Sequence, residues 1–197
     1  MKTEIEAKFI DVDFDEVRSK LTASGAVCTQ PMRLMRRALI EPDHVIEAGR
    51  DAFLRIRDEG DKVTVTFKEF KSESLSGALE REIIVSDFDE TIAIFAECGQ
   101  HYRTFQESRR ETWKLGETEI VLDEWPWLRP YIEIEALSED DVMSTSETLG
   151  FEWKDAVFGS VDVVYKKQYP DLDGRGVIDV PEVRFSSELP KHFGKSI

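Results

Sequence analysis

The sequence predicts an α+β domain in which an antiparallel sheet, apolar on one face and charged on the other, packs against helices. Three features predict it. Short segments alternate apolar with charged or hydroxyl side chains at the two-residue period of a strand. Between them stand amphipathic stretches that open on a capping residue and stop at a glycine, as helices do. The 197 residues, 41% hydrophobic and 34% charged, suffice for one domain with a sizeable core.

Bulk properties narrow the function. A formal net charge of −15 argues against nucleic-acid or anionic-membrane partners, because the global field repels polyanions. Any phosphate site must therefore be local. Cys28 and Cys98 form neither a disulfide framework nor a metal-ligand spacing, and no leader-like or membrane-length apolar run is present. The expectation is a soluble cytoplasmic protein whose two cysteines are small buried hydrophobes.

The first strand, 3–9, sends Glu4, Glu6 and Lys8 to one face and Ile5, Ala7 and Phe9 to the other. A helix follows. Asp13 caps it with Glu16 three residues on, Phe14, Val17 and Leu21 share a face, and Gly25 stops it. Arg33, Arg36 and Arg37, among Met32, Leu34, Met35, Leu39 and Ile40, read as a strand with core methionines; 44–49 reads as a turn or loop. Leu54 and Ile56 oppose Arg55 and Arg57, while Val63, Val65 and Phe67 oppose Thr64, Thr66 and Lys68. The connection from Asp58 to Lys62, with Gly60 available for a positive φ, makes these two a hairpin. After a polar loop comes a strand, 79–85, bearing Glu80 and Glu82.

Then the pattern restarts. Asp87-Phe88-Asp89-Glu90 repeats Asp13-Phe14-Asp15-Glu16, Ile92 and Phe95 continue the apolar face, Gly99 closes it, and Arg109 and Arg110 follow as Arg36 and Arg37 follow Gly25. A third round runs from Glu133-Ile134-Glu135 through a Ser138 cap, Val142, Leu149 and Gly150 to Lys166 and Lys167, its more distant basic pair. These read as three copies of one unit: strand, capped helix, basic strand. Between the second and third, 118–123 is a strand with Glu119, Val121 and Asp123 on one face. The connector 125–130 holds two prolines and is no strand interior. Trp125, Trp127 and Tyr131 there either plug the sheet–helix boundary or stack on an aromatic ligand group. His44, His101 and His192 read as surface residues. From Pro170 on the periodicity lapses, so 1–169 is expected to be the domain and 170–197 an extended tail, with a turn at 171–174 that lacks the ligands of a calcium loop.

The strands' polar face carries Glu4, Glu6, Lys8, Arg55, Arg57, Lys68, Glu80, Glu82, Arg110, Asp123, Glu133 and Glu135. Either this face is solvated, or the sheet curls into a barrel and the charges line its lumen. Enclosure is costly unless the charges pair with one another or with a ligand. Converging Arg and Lys suit a polyphosphate, and clustered carboxylates suit Mg²⁺ or Mn²⁺, which bridge to phosphate oxygens. No histidine or cysteine lies on this face, which disfavours zinc.

These residues resemble the CYTH domain of the triphosphate tunnel metalloenzyme superfamily, which includes class IV adenylyl cyclases, thiamine triphosphatases and inorganic triphosphatases. The likeness runs from Glu4 to about Lys167. It rests on Glu4-x-Glu6-x-Lys8, Arg55-Ile56-Arg57 with Lys68, Glu80-Arg81-Glu82, Arg110 before Trp113, and Asp123 followed by Glu133-Ile134-Glu135. The resemblance implies a closed antiparallel eight-stranded β-barrel, a tunnel with a charged lumen and helices outside. It implies that Arg55, Arg57, Lys68 and Arg110 grip a triphosphate, with Lys166 or Lys167 as a late basic residue. It implies that the metal ligands come from Glu4, Glu6, Asp123, Glu133 and Glu135, the first metal being assigned to Glu4, Glu6 and Glu135. Lys8 holds phosphate or orients a nucleophile, and Lys8, Glu82 and Glu133 are the candidate catalytic residues. Arg36 and Arg37 sit where many members carry an aromatic-rich strand, so the organic end of the substrate is not readable there. The expected activity is metal-dependent hydrolysis of inorganic triphosphate, thiamine triphosphate or a nucleoside triphosphate. Cyclisation of ATP with release of pyrophosphate, a non-catalytic polyphosphate binder and a merely solvated scaffold are the competing readings.

Overall fold

The computed structural model describes residues 1–72, 74–172, 176–194 and 196. Half of the turn expected at 171–174 lies outside the described residues. Nine strand segments, β1 (Lys2–Glu4), β2 (Glu6–Ile10), β3 (Val27–Ile40), β4 (Ala52–Asp58), β5 (Val63–Phe70), β6 (Ala78–Val85), β7 (Thr104–Leu115), β8 (Thr118–Glu124) and β9 (Tyr131–Glu135), lie on one antiparallel path. Its order is β1-β6-β5-β4-β3-β7-β8-β9-β2. The two ends of that path are consecutive in the chain, separated by Ile5 alone. Glu4 pairs with Ala78 on β6 and Glu6 with Glu135 on β9. At the junction the Ala136 N–H donates to the Ile5 carbonyl (3.1 Å) and the Glu6 N–H to the Leu75 carbonyl (3.1 Å). The sheet is thus an antiparallel barrel closed by its own first strand. It has nine segments where eight strands were expected because Ile5 divides that strand between two neighbours.

Alternation then decides what lies inside. On β2, β8 and β9 the outward residues Ala7, Phe9, Ile120, Leu122, Ile132 and Ile134 pack with Val17 and Leu21 of α1 (Phe14–Ala23) and with Val142 of α4 (Glu139–Thr148). On β3 to β5, Ala38, Ile40, Ile56 and Val65 pack with Phe88 of α3 (Phe88–Glu97). The apolar core is therefore outside the barrel, between strands and helices, and the charged face lines the lumen. Burying these apolar side chains stabilises the fold by about 1.5–3 kcal/mol for each large one.

The repeated helix signals are realised. Asp13 Oδ1 accepts from the Asp15 and Glu16 amides (2.8 and 3.0 Å), Asp87 Oδ1 from the Glu90 amide (2.8 Å) and Ser138 Oγ from the Asp141 amide (3.2 Å). Gly25, Gly99 and Gly150 all stop their helices at positive φ (83°, 77° and 76°). The first two units lead into β3 and β7, which pair with each other. The third does not complete the pattern: Lys166 and Lys167 stand in the last turn of α5 (Val161–Gln168).

Three other expectations are corrected. The loop at 44–49 is mostly a one-turn helix, α2 (Asp43–Glu47), started by Pro42, whose fixed φ of −63° suits the position, and held by buried Val45. Cys28 and Cys98 are exposed, at the start of β3 and the C-cap of α3. In its described residues, the region after Pro170 is packed rather than extended. Leu172, Val177, Val180, Val183 and Phe193 bury against Trp125, Tyr165 and Tyr169, and β10 (Glu182–Val183) pairs in parallel with β7. Its period is irregular because 3₁₀ turns at Gly176–Asp179 and Lys191–Phe193 repeat no fixed spacing. Cation–π contacts clasp it from both sides, Arg109 over Phe185 (4.3 Å) and Arg184 over Phe105 (4.2 Å).

Candidate functional site

The lumen is a cavity of about 420 Å³ whose lining includes Glu4, Glu6, Lys8, Arg55, Arg57, Lys68, Glu80, Glu82, Arg110, Glu133 and Glu135. Strand register sorts these charges into two walls. On β7, β3 and β4 stand Arg110, Arg33, Arg37, Arg55 and Arg57, with Arg33 opposite Arg110 and Arg37 opposite Arg57. On β8, β9, β2, β1 and β6 stand Glu119, Glu133, Glu135, Glu6, Glu4, Glu80 and Glu82. Glu119, Glu135 and Glu6 lie in register on three adjacent strands. Lys8 and Lys68 are set into the acidic side.

Two lysines compensate part of the acidic wall. Lys8 Nζ lies 2.7 Å from Glu6 and 3.3 Å from Glu133, and Lys68 pairs with Glu4 and lies 4.0 Å from Glu6. Burial would strip Lys8 of its proton, but Glu133 and Glu6 outweigh it and hold the ammonium above the ordinary lysine range. Glu133, largely shielded from solvent, which alone would raise it, is held below the carboxylate range by Lys8 and Arg110. Arg110 donates to both Asp123 oxygens (2.7 and 2.5 Å) and to Glu133 (2.8 Å). Asp123 is completely buried behind Arg110, and burial raises its pKa.

The basic wall is compensated less well. Arg57 pairs with Glu59 (2.6 Å), whereas Arg55 reaches Glu82 only at 3.9 Å. Glu82 accepts from Thr66 (2.7 Å) and so braces that side. The Nε atoms of Arg37, Arg55 and Arg57 are all buried without a hydrogen-bond partner. Burial, then Arg55, Arg57 and Arg110, lowers Arg37 to about 9, and burial with Arg55 lowers Arg57 to about 10. A guanidinium keeps its proton at neutral pH, so burial first and crowding by like charges second make these cations costly to keep, a cost that a bound anion would relieve.

For a metal, the acidic wall supplies oxygen donors only, and no histidine or cysteine lines the cavity. Glu80 Oε2 is buried without a hydrogen-bond partner. That donor set fits Mg²⁺ or Mn²⁺ and not zinc. Among the described residues, no three His, Cys, Asp or Glu side chains form a ready-made metal group, since Lys8, Lys68 and Arg110 hold several of these carboxylates.

The sequence profile of the CYTH domain matches residues 2–149. The chain belongs to the CYTH domain family. Similar solved structures include the PH1012 protein of Pyrococcus horikoshii OT3 (22% identity, 78% of this chain and 93% of that one, TM-score 0.64). A candidate adenylate cyclase of Vibrio parahaemolyticus follows (11%, 81% and 95%, TM-score 0.67), as does an adenylyl cyclase candidate of Hippeastrum described as having a dominant triphosphatase activity (15%, 80% and 91%, TM-score 0.53). At these identities the likeness carries the tunnel fold. No curated protein matches the chain.

Within this CYTH domain most expected site residues converge on the lumen, but three do not. Lys166 and Lys167 are exposed on α5 and do not line the cavity, because a helix continues where a strand was expected. Asp123 lies behind the lining as the partner of Arg110. Trp127 is a plug, its Nε1 donating to the Ser187 carbonyl (2.9 Å), whereas Trp125 and Tyr131 border the lumen. Arg33, Arg37, Glu59 and Glu119 line it without having been assigned to the site. The period of two on β3 groups Arg33 with Arg37 and Leu39, which all line the lumen; in each basic pair one arginine turns in and the other, Arg36 or Arg109, turns out to Asp58 or Glu124.

Proposed function

We propose that this CYTH domain is a divalent-metal-dependent triphosphatase. The observation that carries the reading is the convergence of three buried arginine Nε groups without partners, those of Arg37, Arg55 and Arg57, on a lumen whose opposite wall is rich in carboxylates. Guanidinium donors of this kind match phosphate oxygens in geometry and charge. Arg55, Arg57 and Arg110 hold the phosphate chain from one side, and Lys68 and Lys8 meet it from the other as point charges. Because Glu6 and Glu133 keep Lys8 protonated, it steadies negative charge and takes no proton from water. Glu133 and Asp123 fix Arg110 in place, so their role is to position a phosphate-binding cation. Glu4, Glu6 and Glu135 would hold Mg²⁺ or Mn²⁺, which when bound neutralises phosphate charge and lowers the barrier to displacement at phosphorus. A carboxylate of the acidic wall accepts the proton of the attacking water.

The full chain is to be assayed with inorganic triphosphate, thiamine triphosphate and ATP, with Mg²⁺ or Mn²⁺, following phosphate, pyrophosphate and cyclic AMP. Release of inorganic phosphate that depends on the metal is expected. Cyclic AMP with stoichiometric pyrophosphate would replace the hydrolase reading with cyclisation. Tight binding without turnover would reduce the protein to a polyphosphate binder.

A further inference from the structure

We infer that Arg37, stacked on Trp125 at a blind end of the tunnel, is the anchor for the terminal phosphate, so that the substrate enters phosphate first. The assignment deepens the triphosphatase reading and rests on it. β3 finishes, β7 begins, β8 finishes and β9 begins at the same end of the barrel, and there Leu39, Gln106, Trp125 and Tyr131 line the lumen. The C-terminal region shuts that end. Val161, Asp162 and Ile178 reach the lumen, and behind them Tyr165, Val177 and Phe193 are completely buried against the connector. Asp162 ties the closure together, since Oδ1 accepts the Val177 amide at 2.9 Å, joining the start of α5 to the 3₁₀ turn. The opposite mouth, at the turn between β4 and β5, is lined by Gln30, Glu59, Asp61 and Lys62.

Arg37 is unlike an ordinary buried arginine. Only 7% of the residue is exposed, and among the described residues no carboxylate lies within ion-pairing distance of it. Asp123, the acid whose charge opposes its neighbours there, already spends both oxygens on Arg110. One nitrogen donates to Ser108 Oγ (2.9 Å), the guanidinium lies 4.3 Å from the Trp125 ring, and Nε has no partner. The group is buried, which strengthens its field, between Ser108 and the Trp125 ring and in the field of three further arginines. A dianionic terminal phosphate is the ligand chemistry that such a group meets. Any organic substituent is then directed to the mouth between β4 and β5.

The test uses the full-length chain carrying Arg37→Met or Arg37→Lys, with inorganic triphosphate as the probe, binding by calorimetry and stability by urea denaturation without ligand. Arg37→Met is expected to leave the urea midpoint unchanged or raise it, because a poorly compensated buried charge is removed. It is expected to weaken triphosphate binding by at least about tenfold, with Arg37→Lys in between. A dinucleoside triphosphate, capped at both ends, is expected to bind far more weakly than ATP. Unchanged triphosphate affinity in Arg37→Met overturns the anchor while leaving the triphosphatase reading in place. Destabilised Arg37→Met together with wild-type affinity in Arg37→Lys assigns Arg37 to structure instead. Equal binding of the doubly capped triphosphate overturns the phosphate-first orientation. No binding of triphosphate by the wild-type chain, with either metal, overturns the functional reading itself and the anchor with it.

Discussion

The two walls of the lumen hold similar charge densities and are stabilised in opposite ways. On the acidic side, each lysine sits between carboxylates: Lys8 ties Glu6 to Glu133, Arg110 reaches across to Glu133, and Glu80 keeps one buried oxygen without a hydrogen-bond partner. On the basic side, Arg37, Arg55 and Arg57 crowd together with buried donors unused. The difference teaches where to look for the ligand. A buried charge that is paired contributes to the fold, whereas one that is left poorly paired is kept at a cost that function must explain.

Lys8→Met breaks the comparison most severely. It removes the cation that Glu6 and Glu133 share, leaving Glu133 to Arg110 and Glu6 to Lys68 at 4.0 Å, and a loss of about 3 kcal/mol in urea-determined stability is expected. If the protein loses no stability, Lys8 does not hold the acidic wall together. Next comes Glu6→Gln, which is nearly isosteric and should lower metal-dependent turnover by about 10²–10³ with a near-native far-UV spectrum. Retained turnover would remove Glu6 from the metal set. Arg57→Gln should weaken triphosphate binding by roughly 10–100-fold, as expected for a charge-assisted hydrogen bond, measured by calorimetry. A wild-type dissociation constant would limit Arg57 to holding Glu59. The smallest effect is a pH dependence. The pKa of Glu133 is depressed in the folded state, so its contribution is present above the unfolded value of about 4.3 and fades as pH falls below it. Glu133→Gln should therefore flatten the acid limb of the stability curve. An unaltered acid limb would show that Glu133 is not held ionised by Lys8 and Arg110.

The alternation of Glu4, Glu6 and Lys8 with Ile5, Ala7 and Phe9 made the charged face legible, as did the parity of Arg55 and Arg57 on β4 and of Glu133 and Glu135 on β9. Helix caps and glycine stops were legible because they depend on local hydrogen bonds and φ angles. That the face turns inward was not legible from the period, since an open sheet and a barrel share it; the resemblance to the CYTH domain supplied that expectation, and the partners of Glu4 and Glu6 bear it out. The segregation into two walls was likewise hidden, because it is a property of strand order. Arg37 carried the right parity but no acidic neighbour in sequence to mark it. Lys166 and Lys167 misled because a basic pair at the end of a helix and one on a strand look alike when the segment is short. The packing of 176–194 was missed because 3₁₀ turns bury apolar residues without a period.

The junction at Ile5 has a further consequence. One short strand holds both margins of the sheet, with Glu4 on one side of the junction and Glu6 on the other. Should that strand detach, β6 and β9 would both present unpaired backbone to other molecules, and two of the proposed metal carboxylates would leave together. Self-association and inactivation would then begin with the same local event. The chain's net charge of −15 opposes the encounter of two such opened molecules, so added salt should hasten aggregation by screening that repulsion.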